Sequence, residues 1–103
     1  MFGWLDKLGR LRSFKRRWFV LKDGMLFRYK TMGGAREQLG KIPLYNAHLS
    51  EYQPLKYPAC FEIRTKEKSI VLRAESEEEM HKWLNAIIKQ KVMVEEMVNA
   101  IIL

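Results

Sequence analysis

Two stretches decide how this chain folds: Gly3-Trp4-Leu5-Asp6-Lys7 and, after a short basic loop, Lys15-Arg16-Arg17-Trp18-Phe19-Val20-Leu21. Side chains alternate across a strand with period two. Gly3, Leu5 and Lys7 therefore share one face of the first strand, and Lys15, Arg17, Phe19 and Leu21 share one face of the second. The apolar members of each set must face a core. Lys7, Lys15 and Arg17 point the same way, but they lie at the hairpin end beside the loop Leu8 to Ser13, where a barrel or sandwich is open. Three inward cations at an open mouth want an anion.

This pattern resembles the pleckstrin homology (PH) family, specifically its phosphoinositide-binding members. Their signature is a Lys ending the first strand, a variable loop, and Lys/Arg-x-Arg opening the second. The resemblance runs on through a hairpin at Asp23-Gly24, Ile42-Pro43-Leu44, and Ser76 to Ile88 with Trp83. It implies a mainly β fold, a seven-stranded orthogonal β-sandwich or partly open barrel capped by one C-terminal α-helix, over residues 1–91. The implied head-group ligands are Lys7, Lys15 and Arg17, matched position by position to the motif. Arg28, which shares parity with core Leu26 on a third strand returning to the mouth, joins them. Where members selective for 3-phosphorylated lipids usually place a tyrosine, this chain has Arg28 with Tyr29 beside it. It has Leu39 where some selective relatives carry a basic residue, and Lys41, of matching parity, is the expected partial substitute.

Secondary roles follow from position. Arg10 and Arg12 lie in the loop, suited to surrounding acidic lipid, and Arg16 has the opposite parity to its neighbours, which places it on the outer sheet face. Leu8 and Leu11, interleaved with those arginines, are the residues expected to dip into a membrane interface. The turn Thr65-Lys66-Glu67-Lys68 is short and expected to offer at most a lysine at the rim.

Composition agrees with one domain. The 103 residues are nearly half apolar with a net charge of +7, enough for one small core. Eleven of the nineteen Lys and Arg fall in residues 1–41 against three acids, while the rest of the chain is almost neutral. Such polarity orients a molecule toward an anionic surface, with about 1 kcal/mol per cation held near it. The single Cys60 excludes an internal disulfide and reads as a core thiol in a reducing cytosol. No run approaches the roughly 20 apolar residues needed to span a bilayer, and no signal core opens the chain. A cytoplasmic protein, peripheral at an inner leaflet, is the expectation.

Strands are predicted near residues 3–8, 14–22, 25–30, 40–44, 48–52, 59–65 and 69–74. Gly33-Gly34 marks a loop over Thr31–Gln38, and Pro54 and Pro58 bracket the connection before the sixth strand. Ser76 and Glu79 form a capping-box pattern for a helix whose apolar face is Met80, Trp83, Leu84, Ile87 and Ile88. Residues 92–103 stay apolar. They either continue the helix, with Val94, Met97, Val98 and Ile101 on one side, or begin a linker, and a protein partner or a further segment of the same protein is the expected cover for that tail.

No catalytic constellation is present: His48 and His81 have no carboxylate or metal spacing around them, Cys60 has no histidine partner, and no nucleotide-type glycine loop occurs. Neither an enzyme nor a cofactor is expected, and Trp18, Phe19 and Phe27 belong to strands instead of a base-stacking platform, which argues against nucleic acid. The residues favour a phosphoinositide-binding module that recruits a larger cytosolic protein to membranes. The alternative is a protein-interaction module of the same fold with weak, non-selective attraction to acidic lipid.

Overall fold

The structure, a computed structural model, describes residues 1–33, 37–52 and 58–102. The middle of the predicted loop over Thr31–Gln38, the connection containing Pro54, and Leu103 lie outside the described residues.

Seven strands appear where alternation predicts them: β1 (Phe2–Leu8), β2 (Phe14–Lys22), β3 (Met25–Tyr29), β4 (Gln38–Pro43), β5 (His48–Glu51), β6 (Cys60–Arg64) and β7 (Ser69–Arg73). All pair antiparallel in the order β4-β3-β2-β1-β7-β6-β5. β1 is the joint. Along most of its length it pairs with β2, and near its end it also pairs with β7 through Asp6↔Arg73 and Lys7↔Leu72. The sheet therefore curls into an open barrel whose edges are β4 and β5. Leu5, Phe19, Leu21, Leu26, Ile42, Phe61, Ile63 and Leu72 fill it.

The helix α1 (Glu77–Ile102) starts as its sequence dictates. Ser76 Oγ accepts the Glu79 N–H at 3.1 Å, and Glu77, Glu78 and Glu79 occupy the first turn, where backbone dipoles favour negative charge. Met80, Trp83, Leu84 and Ile87 are buried against the strands. Ile88, expected on that packed face, is exposed instead, because it falls one step round from the Leu84–Ile87 seam. Cys60 is buried and its thiol leans toward the Pro58 carbonyl. Burial pushes that thiol up, with Asp6 adding to the rise and Arg73 opposing it.

The apolar tail continues the helix without a break. Its first part docks on the end of the barrel. Gln90 Oε1 accepts the Gly24 N–H at 2.7 Å, Glu95 Oε2 accepts the Asn46 N–H at 3.0 Å, and Lys91 reaches the same Glu95 oxygen at 2.7 Å. Val94 sits where a side chain on Gly24 would go, and Gly24 has φ +72°. Beyond Val98, Ile101 and Ile102 are exposed.

Gly24→Ala is expected to lower the thermal midpoint by at least about 5 °C. A left-handed backbone costs an L side chain roughly 1–2 kcal/mol before any clash, and about 1 kcal/mol shifts a domain of this size by roughly 4–8 °C. Adding Val94→Ala should recover part of the loss. An unchanged midpoint for Gly24→Ala would contradict this docking.

Candidate functional site

The mouth is built by the β1–β2 register. Gly3 faces Phe19, Leu5 faces Arg17, and Lys7 faces Lys15. Leu5 and Phe19 are only 2% and 1% exposed, so this row is the core face, and the three cations continue it toward residues 9–13. Arg28 enters from β3, paired with Phe19 on one side and Gly40 on the other. Having no side chain, Gly40 leaves a floor for the guanidinium: a Cβ there would come within 2.8 Å of Arg28 Nη2. The same Nη2 donates to the Leu39 carbonyl at 3.1 Å.

Two adjoining hollows result. One, of about 250 Å³, is lined by Lys7, Gly9, Lys15, Arg17, Arg28 and Leu39. The other, of about 230 Å³, shares Lys7 and Arg28 and extends to Gly40, Lys41, Lys68 and Ser69 over an apolar floor. Among the described residues, no carboxylate lines either hollow. Asp6, next to Lys7 in sequence, points the other way and pairs with Arg73 at 3.0 Å. The cations therefore face one another uncompensated. Partial burial holds the Lys7 ammonium below the ordinary lysine range, and the charges of Arg28, Arg17 and Lys68 push it further down. Burial, then Arg17, does the same to Arg28. Such a site repels protons and attracts anions.

The other expected residues fall in different places. The β1–β2 loop is pinned by Gly9 N–H to Ser13 O at 2.7 Å and Arg12 N–H to Gly9 O at 3.1 Å. Arg10 and Arg12 are exposed there, and Leu11 stands 91% exposed at the tip. Leu8 departs from expectation: it is half-buried opposite Phe14 on the outer face, because its parity is that of Trp4 and Asp6. Arg16 lies outside as its parity requires, over the Trp4 ring at 5.1 Å and 3.6 Å from Glu75, so it is away from the mouth. Tyr29 pairs with Trp18 and belongs to the outer face too, not beside Arg28 in the pocket. Lys41 lines the second hollow from its rim. It pairs with outward Phe27, and its carbonyl, not its ammonium, is what Lys68 Nζ meets at 3.2 Å.

Lys68 is the residue sequence reading undervalued. The tight turn, closed by Thr65 N–H to Lys68 O at 2.8 Å, leaves Lys68 at the mouth, lining the second hollow. A signal was present: Lys68 shares parity with Ile70 and Leu72, which are core residues.

The family model of the PH domain matches residues 1–92. The chain is 36% identical over 94 residues to a RAC family serine/threonine-protein kinase homolog of Dictyostelium discoideum, covering 89% of this chain and 21% of that protein. It is 45% identical over 65 residues to Cytohesin-3 of Homo sapiens, covering 59% of this chain and 16% of the relative. The chain thus spans about a fifth or less of the length of these relatives. Among solved structures, the C-terminal PH domain of pleckstrin in complex with D-myo-Ins(1,2,3,5,6)P5 superposes with a TM-score of 0.76 at 29% identity, covering 88% of this chain and 93% of that one. The PH domain of human oxysterol binding protein-related protein 11 superposes with a TM-score of 0.82 at 19% identity, covering 95% and 84%, a likeness of fold alone.

Removing one member of the repelling cluster should stabilise the free domain. Lys7→Met is expected to raise the thermal midpoint by about 2–5 °C at low ionic strength, with the gain shrinking in high salt as the remaining charges are screened. A midpoint that falls, or a gain indifferent to salt, would contradict the electrostatic picture.

Proposed function

Because the chain belongs to the PH domain family, we propose that it is a phosphoinositide-binding, membrane-targeting module that brings a longer protein to a cytoplasmic leaflet. The observation that carries this reading is the convergence of Lys7, Lys15, Arg17 and Arg28 on one hollow that, among the described residues, no carboxylate lines. A phosphorylated inositol ring supplies the missing negative charge. Arg17 offers a planar fork to one phosphate, Lys7 and Lys15 act as point charges, and Arg28, already laid against the Leu39 carbonyl, needs little reordering. Lys68 extends the same field into the second hollow, where a ring bearing phosphates on both sides gains a further partner.

Membrane engagement adds two weaker terms. The basic loop draws the domain to acidic lipid at about 1 kcal/mol per cation near the surface. Insertion of Leu11 contributes at most roughly 1.5–3 kcal/mol, the value for fully burying such a side chain. No helix of the described residues is long and apolar enough to cross a membrane. The protein-interaction reading differs in requiring no head-group preference.

Calorimetric titration with a panel of soluble inositol phosphates tests the pocket apart from membrane charge. Arg17→Ala should weaken the preferred ligand about tenfold or more, since a charge-assisted contact contributes roughly 1.5–3 kcal/mol. Arg10→Ala should leave that titration unchanged and reduce only co-sedimentation with phosphatidylserine vesicles and its salt dependence. Equal effects of both substitutions, or no preference across the panel, would support the protein-interaction reading.

The depressed Lys7 gives a pH signature. A bound polyphosphate favours the charged ammonium, so binding takes up a proton once the free domain has lost it. Affinity should therefore fall as pH rises through the free Lys7 value, which lies below that of an ordinary lysine. Lys7→Arg should flatten the alkaline limb of the affinity profile, and a profile identical to wild type would count against Lys7 as a ligand.

A further inference from the structure

The outer face of the β1–β4 half of the sheet breaks the usual alternation of antiparallel strands, in which the solvent side is polar. One cross-strand row is Trp4–Trp18–Tyr29 and the next is Phe2–Val20–Phe27. None of these residues is buried, and Phe2 is 68% exposed. The rings pack on one another, Trp4 edge-on to Trp18 with centroids 5.1 Å apart and Phe2 against Trp18 at 5.6 Å. A contiguous aromatic patch on a domain surface marks a contact site.

The charges around the patch say what it fits. Along its far edge Lys22 and Lys41 are exposed, and among the described residues neither makes an ion pair. The carboxylates beside Trp4 are taken, Asp6 by Arg73 at 3.0 Å and Glu75 by Arg16 at 3.6 Å, and the exposed Asp23 beside Lys22 leaves the edge with two lysines against one carboxylate. The edge is therefore net basic. A second copy of the chain related by a two-fold axis would set two basic edges against each other, each with more lysines than carboxylates. A bilayer is also disfavoured. The Phe2 row lies five residues from Lys7 along β1, roughly 17 Å at strand spacing, and its side chains stand across the direction in which the mouth opens. With the mouth on a membrane, this face looks sideways into the cytosol.

We propose that this face docks a short protein segment in which Asp or Glu alternates with aromatic or aliphatic side chains, the carboxylates meeting Lys22 and Lys41 and the apolar groups covering Trp18, Val20 and Phe27. The patch and its charge stand independently of the head-group reading. Only the exclusion of the bilayer rests on it.

Panning a random peptide library displayed on phage against the folded domain tests the proposal, with inositol hexakisphosphate binding measured in parallel on each variant. The expected result is enrichment of acidic-apolar peptides whose affinity falls at least tenfold with Phe27→Ser and with Lys22→Glu, while inositol hexakisphosphate binding is unchanged. Peptides carrying Lys in place of Asp or Glu should regain affinity for Lys22→Glu. Phe27→Ser carries a risk to folding, and Lys22→Glu does not, so the charge reversal alone decides. No enrichment, peptides displaced by inositol hexakisphosphate, or binding indifferent to Lys22→Glu would overturn the proposal. So would self-association abolished by Lys22→Glu.

Discussion

Like charges converge at one end of the β1–β2 hairpin, and the other features of the domain follow from holding them there. Lys7 and Lys15 are direct cross-strand partners, an arrangement that is unfavourable in itself, and Arg17 and Arg28 crowd the same hollow. The alternation that buries Leu5 and Phe19 leaves these side chains nowhere else to point. Burial first, and then the neighbouring positive charges of the mouth, lower the proton affinity of Lys7 and Arg28. A site loaded with unpaired positive charge is destabilised in the free domain, and on the proposed function a bound anion would relieve that cost.

Stability to offset this comes from the opposite end. The helix plugs the barrel with Met80, Trp83, Leu84 and Ile87, and its extension through Val94 and Glu95 fastens the β2–β3 turn at Gly24 and the backbone at Asn46. The two ends are thus divided in labour. One is closed by apolar packing and hydrogen bonds, and the other stays open and basic.

Much of this was legible in the sequence because period-two alternation is unambiguous once Leu5 and Phe19 are assigned inward. The parity of Lys7, Lys15 and Arg17 needed nothing further, and Ser76 announced the helix start. Legibility ended at β4. The register shift between Arg28 and Tyr29 sets Arg28 against Gly40 and Tyr29 against Gln38, so Leu39 reaches the mouth, while Lys41 pairs with outward Phe27 and touches the second hollow from its rim. Alternation cannot reveal an extra residue in a strand, which is why Gly40 did not look like a floor. Leu8 shows a different failure, since its place beside Arg10 suggested a loop tip when its parity already tied it to Phe14. Lys68 was recoverable from its spacing to Ile70 and Leu72, but a four-residue turn gives no hint that it closes tightly enough to bring an ammonium across to the Lys41 carbonyl.

The central claim is that cations from separate strands and turns act as one cup. NMR shifts of backbone amides and of lysine and arginine side chains, followed through a titration with inositol hexakisphosphate, test it most directly. The cup requires that Lys7, Lys15, Arg17, Arg28 and Lys68 respond together along a single saturating curve, with the amides of residues 9–13 beside them. Shifts that creep without saturating across Arg10, Arg12 and Lys22, or that centre on Arg16 and Arg73, would contradict it.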